Sequence, residues 1–102
     1  MNVTVSSRHC EIPAPLRDAT EQRVRRLGRY HPRLADAEVT YQRERVEHTV
    51  EIRMSVAGAT PLITHGTGAT FEAALDRGID RASRQLRRAR ERVLQASPAP
   101  RV

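Results

Sequence analysis

The stretch FEAALDRGIDRASRQLRRARERVL, residues 71–94, decides the fold. Phe71, Leu75, Ile79, Ala82, Leu86, Ala89 and Val93 recur at steps of four, four, three, four, three and four. That spacing places all seven on one stripe of an α-helix. Thr70 suits the N-cap, because its hydroxyl can accept from a free N–H of the first turn. The helix is expected to run from Phe71 to about Leu94. Gly78 interrupts it at about 1 kcal/mol relative to Ala, a cost that close packing would offset.

Such a stripe needs a surface to bury against, and the preceding residues supply a sheet. Thr49–Val56 alternates strictly, with Val50, Ile52, Met54 and Val56 on one side and Thr49, Glu51, Arg53 and Ser55 on the other. One buried and one wet face produce this pattern. Asn2–Ser7 and Glu38–Arg43 alternate more briefly. Thr60–His65 reads as a weaker strand at a sheet edge, since Pro61 cannot donate to a ladder. Gly66-Thr67-Gly68 reads as a loop. Between the first two strands, Leu16, Thr20, Val24 and Leu27 mark a helix from about Pro15 to Tyr30, preset by Pro13 and Pro15 and ended by His31-Pro32. The order is β-α-β-β-β-α. The expected class is α+β, a four-stranded sheet with both helices on one face so that they share its core.

With 102 residues the chain holds one small domain, too short for a two-domain enzyme or a dedicated cofactor-binding domain. No apolar run approaches a membrane span, and the start lacks the apolar block of a signal peptide. Cys10 is the single cysteine, which excludes a disulfide framework and fits a reduced, cytoplasmic setting.

The net charge is +6, and all 18 basic residues are Arg. Replacement of Lys by Arg throughout fits a GC-rich coding sequence. Its distribution carries more information. Residues 16–33 are net +4, residues 34–76 net −4, and residues 77–92 net +5. Arg77, Arg81, Arg84, Arg88 and Arg92 form their own helical stripe beside the apolar one, and Arg87 and Arg90 lie elsewhere on the exposed surface. On the first helix, Arg25, Arg26 and Arg29 point away from the apolar stripe, while Arg23 projects toward its edge. If the helices pack side by side, these surfaces merge into one ridge or groove. Like charges at i,i+4 repel, so a polyanion is the partner this arrangement fits. Guanidinium groups fork onto phosphate oxygens.

The remaining groups offer no chemistry of their own. His9 and Cys10 are adjacent, and His31, His48 and His65 are scattered without ligand spacing, so no metal site is expected. Nothing pairs Cys10 with a base. Glu44, Glu47 and Glu51 balance Arg43, Arg45 and Arg53. No cofactor, small-molecule substrate or enzymatic activity is expected. Phe71, Tyr30 and Tyr41 are the only aromatics and are all assigned to the core. That favours reading of backbone and shape over base stacking.

Several blocks resemble a known family. Glu11-Ile12, Leu16-Arg17-Asp18 and Leu27-x-Arg29-Tyr30 are followed by Val39, Glu44, His48 and Val56-x-Gly58. The most specific block is Phe71-x-Ala73-Ala74-Leu75-Asp76-x-x-Ile79-Asp80-Arg81-x-x-Arg84-Gln85-Leu86. Together, over about residues 2–92, they resemble the ribosome hibernation-promoting factors and ribosome-associated inhibitors, a sigma-54 modulation protein-like family. The resemblance implies a double-stranded-RNA-binding-domain-like fold. It implies binding to the small ribosomal subunit and its ribosomal RNA, in the mRNA and tRNA channel, with translation blocked in stationary phase or stress. It also implies RNA contacts from Arg23, Arg26 and Arg29 on the first helix and from Arg81, Arg84, Arg88, Arg90 and Arg92 on the second. Phe71 stands where the family commonly has Tyr. Arg25, Arg77 and Arg87 are basic where the family often is not, which adds nonspecific RNA affinity.

Residues 1–95 are therefore expected to be a ribosome-binding domain, monomeric off the ribosome. Residues 96–102 are expected to be a flexible tail or a linker cut short of the second domain that long family members carry. Two rival readings are a general structured-RNA binder without ribosomal preference and a protein-interaction module that modulates transcription.

Overall fold

A computed structural model of the chain describes the backbone of residues 1–96 and the side chains of residues 1–92. Strand β1 (Asn2–Arg8) ends where His9 turns the chain at φ 57. Helix α1 (Ala14–Arg25) starts behind Pro13 with Pro15 in its first turn, where a missing N–H costs nothing. It then tightens into a 3-10 helix, Arg26–Tyr30, so its α-helical part is shorter than the expected Pro15–Tyr30. Strands β2 (Leu34–Glu44) and β3 (Glu47–Val56) form a hairpin, longer on the β2 side than Glu38–Arg43. Strand β4 (Leu62–Gly68) and helix α2 (Phe71–Ala96) complete the domain. As expected, Thr70 caps α2: its Oγ1 accepts from the Ala73 N–H at 3.1 Å.

The sheet runs β1-β2-β3-β4, with β1 parallel to β2 and the other neighbours antiparallel. A parallel pair needs a crossover, and α1 provides it. The register aligns Val5, Val39, Ile52 and Thr64 across the inner face, with Tyr41, Val50 and Gly66 in the next row. Leu16, Thr20, Val24 and Leu27 close over this face from the α1 side, and Ala74, Leu75, Ala82 and Leu86 from α2. Val93, assigned to the same stripe, lies outside the described side chains. Tyr41 is fully buried, its ring in edge contact with Phe71 at 5.3 Å. Its hydroxyl donates to Thr20 Oγ1 at 2.6 Å, and Thr20 donates to the Leu16 carbonyl at 2.7 Å. Burial holds the Tyr41 phenol above its ordinary pKa and keeps it neutral.

Gly66-Thr67-Gly68 is not a loop but the second half of β4, and Pro61 lies just outside the strand. The two glycines serve proximity, not turning. A Cβ on Gly66 would overlap the Ala74 carbonyl and lie 2.5 Å from the Gly78 nitrogen. A Cβ on Gly78 would lie 2.9 Å from Val50 Cγ1. Glycine on both elements lets α2 rest on β4 backbone to backbone. The helix also continues to Ala96, past the expected Leu94 and one residue beyond the expected domain boundary. The rest of the expected tail, residues 97–102, lies outside the described residues.

The opposite face of the sheet is polar and exposed. Asp36, Glu38, Glu44, Glu47 and Glu51 share it with Arg8 and Arg53. His65 Nε2 meets Glu51 Oε2 there at 3.1 Å.

Candidate nucleic-acid interface

The arginines divide between two flanks of α2. On one flank, α2 reaches over the outer edge of β4. Arg77 donates from Nη1 to the Thr67 carbonyl at 2.8 Å, Arg81 to the His65 carbonyl at 2.9 Å, and Gln85 to the Ile63 carbonyl at 3.3 Å. Donors four residues apart on a helix thus meet carbonyls two residues apart on a strand. An edge strand would otherwise present these carbonyls as a template for another chain. Farther along the same flank, Arg84 pairs with Asp80 at 2.7 Å, one turn back, with both side chains more than half exposed. Arg88 and Arg92 have no acidic partner among the described residues. Arg81, Arg84 and Arg88 line a shallow groove of 310 Å³ with Thr64 and Gln85. Arg88 and Arg92 line a second of 300 Å³ with Pro61, Leu62 and Ile63.

The other flank faces α1 and the 3-10 helix. Arg23, which the helical periodicity put at the edge of the apolar stripe, forms an ion pair with Asp76 and ties α1 to α2. The Arg87 guanidinium lies 5.1 Å from the centroid of the Tyr30 ring. Arg26 and Arg29 are exposed and, with Arg23, Leu27, Tyr30 and Ile79, surround a recess of 190 Å³. Arg25 is turned aside, its guanidinium bonding the Met1 carbonyl at 2.8 Å. Arg90 is close enough to His31 for its charge to act on the imidazole.

The eleven arginines therefore do not form one continuous groove between the helices. Arg77, Arg81, Arg84, Arg88 and Arg92 face the β4 side, while Arg23, Arg26, Arg29, Arg87 and Arg90 face the α1 side. Tyr30 packs against the core as assigned but stays half-buried, and its ring also belongs to this second group. Its position between Arg29 and the helix-ending His31-Pro32 was the signal available in the sequence.

His31 is 3% exposed. Its Nδ1 accepts from the Arg33 N–H at 3.1 Å, and Nε2 has no hydrogen-bond partner among the described residues. Burial, then the charges of Arg33 and Arg90, hold its pKa below the ordinary histidine value. The ring is therefore neutral near pH 7, with its proton on Nε2. Cys10 is half-buried, its thiol 3.8 Å from the Tyr41 carbonyl. Among the described residues, no group of three or more His, Cys, Asp or Glu is placed to hold a metal ion. No described helix is long and apolar enough to cross a membrane.

Residues 3–94 match the sequence profile of the family described as Sigma 54 modulation protein / S30EA ribosomal protein. The chain is 25% identical over 92 residues to a ribosome hibernation promoting factor of Pseudomonas putida, covering 90% of this chain and 89% of that one. It is 30% identical over 95 residues to a ribosome hibernation promotion factor of Deinococcus radiodurans, covering 88% of this chain but 49% of the longer relative. Among solved structures, the N-terminal domain of Thermus thermophilus Protein Y superposes with a TM-score of 0.79 at 30% identity, over 88% of this chain and all of that domain. A ribosomal subunit interface protein from Coxiella burnetii gives the same TM-score at 14% identity, over 89% of this chain and 99% of that one, a likeness of fold alone.

Proposed function

The chain belongs to the Sigma 54 modulation protein / S30EA ribosomal protein family, and on that premise we propose that it binds the small ribosomal subunit in the mRNA and tRNA channel and inhibits translation there. Residues 1–95 act as the ribosome-binding domain in this reading, and the place of action is the cytoplasm. Ribosomal RNA is the partner of the arginines on α2 and of those on α1 and the 3-10 helix. The protein works by occupancy. It fills a path that mRNA and tRNA need, and no bond is made or broken.

The observation that carries this reading is the outer end of the β4 flank. Arg88 and Arg92 stand exposed with no carboxylate partner among the described residues, and Arg84 is held by a solvent-screened pair one turn away. Charges displayed at a cost in helix stability fit phosphate oxygens, whose neutralisation releases counterions. Arg84→Glu and Arg88→Glu should each weaken co-sedimentation with small subunits at least tenfold and leave the circular dichroism spectrum unchanged. Binding should also fall steeply between 50 and about 200 mM salt. Unaltered co-sedimentation of both variants would overturn the surface. Equal competition by bulk duplex RNA and by small subunits would overturn the ribosomal preference.

A further inference from the structure

The recess between the 3-10 helix and α2 has an aromatic side chain in its lining, which the grooves along β4 lack. The buried Leu27 lies beneath it and the partly buried Ile79 lines one side. One wall is the half-buried ring of Tyr30, and its rim carries Arg23, Arg26 and Arg29. Arg87 lies over Tyr30 and gives the ring a cationic neighbour. Arg23 is held in place by Asp76, which fixes one side of the opening.

A surface that meets only phosphates has no use for an aromatic wall. A nucleotide has a use for it beside arginines, because its base has an apolar π-face and its phosphates seek guanidinium groups. Two of the rim arginines, Arg26 and Arg29, match the phosphates on either side of a nucleotide turned out of its stack. Structured RNA offers such nucleotides at bulges and loops, where a base can be splayed out and stacked on an aromatic side chain. We propose that this recess accepts a single unpaired nucleotide of the bound RNA, with Tyr30 and Ile79 against the base and Arg26 and Arg29 on the flanking phosphates. The inference rests on the RNA-binding reading above. It adds that the α1 flank recognises a local RNA structure while the β4 flank holds the backbone.

The test compares two RNA hairpins of equal length and charge, one fully paired and one carrying a single bulged 2-aminopurine nucleotide. The whole chain should bind the bulged hairpin about tenfold more tightly, within the range for one base on an aromatic platform. The 2-aminopurine emission should drop as the base enters the recess. Tyr30→Leu should abolish the preference; Tyr30→Phe should retain it. Ile79→Phe, which fills the recess with Tyr30 in place, should also abolish it, so the result does not depend on one variant's folding. Equal affinity of the unaltered chain for the two hairpins would overturn the proposal, as would a preference that survives both Tyr30→Leu and Ile79→Phe. Co-sedimentation of the unaltered chain with small subunits is scored separately. If it fails, the ribosomal reading falls, while the hairpin comparison still decides the recess.

Discussion

The two flanks of α2 carry arginines in similar number and use them differently. Toward β4 the helix is joined to the sheet by glycine contact at Gly66 and Gly78 and by side chains laid over strand-edge carbonyls. Toward α1 it is joined by one exposed ion pair and one arginine on an aromatic ring, and a recess stays open. An arginine count therefore does not measure a binding surface. Arg77 and Arg81 spend part of their hydrogen-bonding capacity holding the fold, whereas Arg88 and Arg26 hold nothing described and are free for a partner.

Substitutions on the two flanks should break this contrast unequally. Gly66→Ala should have the largest effect, because its Cβ meets the backbone of α2, which cannot give way as a side chain can. A loss of about 3 kcal/mol or more in urea unfolding is expected, at the upper end of overpacking costs. If Gly66→Ala is neutral, α2 is not seated on β4 as described. Next, Arg81→Gln should cost about 1 kcal/mol by removing a charged donor from the His65 carbonyl. Arg88→Gln should cost nothing measurable in the same unfolding assay. Equal stability of the two variants would erase the distinction between holding and displayed arginines. On the other flank, Arg87→Gln should cost about 0.5 kcal/mol, the scale of an exposed cation–π contact. Nuclear magnetic resonance should show shifted Tyr30 ring protons in that variant; an unchanged ring spectrum would mean Arg87 does not sit there in solution.

The smallest effect is a pH dependence. The His31 pKa is lowered in the folded chain, whereas the unfolded chain takes up its proton near 6.5. Stability conferred by keeping His31 neutral is fully present above the unfolded pKa and declines as pH falls below it. His31→Gln should flatten that part of the decline between about pH 7.5 and 5.5. An unchanged slope would show that burial of His31, helped by Arg33 and Arg90, does not hold the ring neutral.

Much of this was readable from the chain. The spacing of α2 and the alternation of β3 recur over enough residues to fix element type, and the β-α-β-β-β-α order followed. Gly66 and Gly68 read as a loop in the sequence because glycine marks either a turn or a close approach, and only the helix lying over β4 separates the two. The division of the arginines was hidden for a different reason. A helical period shows which residues share a stripe, but not which flank of the helix faces which strand. That assignment depends on how the chain crosses over the sheet. Arg23 had no distinctive local signal because its partner, Asp76, is 53 residues away. Tyr30 followed the usual rule that aromatic residues lie inside, and the recess beside it exists only once α2 is in place.

The sheet surface away from the helices completes the electrostatic picture. It carries Asp36, Glu38, Glu44, Glu47 and Glu51 against Arg8 and Arg53, while the helices on the far side carry the cations. Two layers of opposite sign give the molecule a permanent dipole moment across its thickness. In the field of a polyanion such a body feels a torque before it touches anything, and it turns its helices forward. The acidic layer thus favours one approach pose and raises the fraction of collisions that can become complexes, an advantage that fades as salt shortens the range of the field.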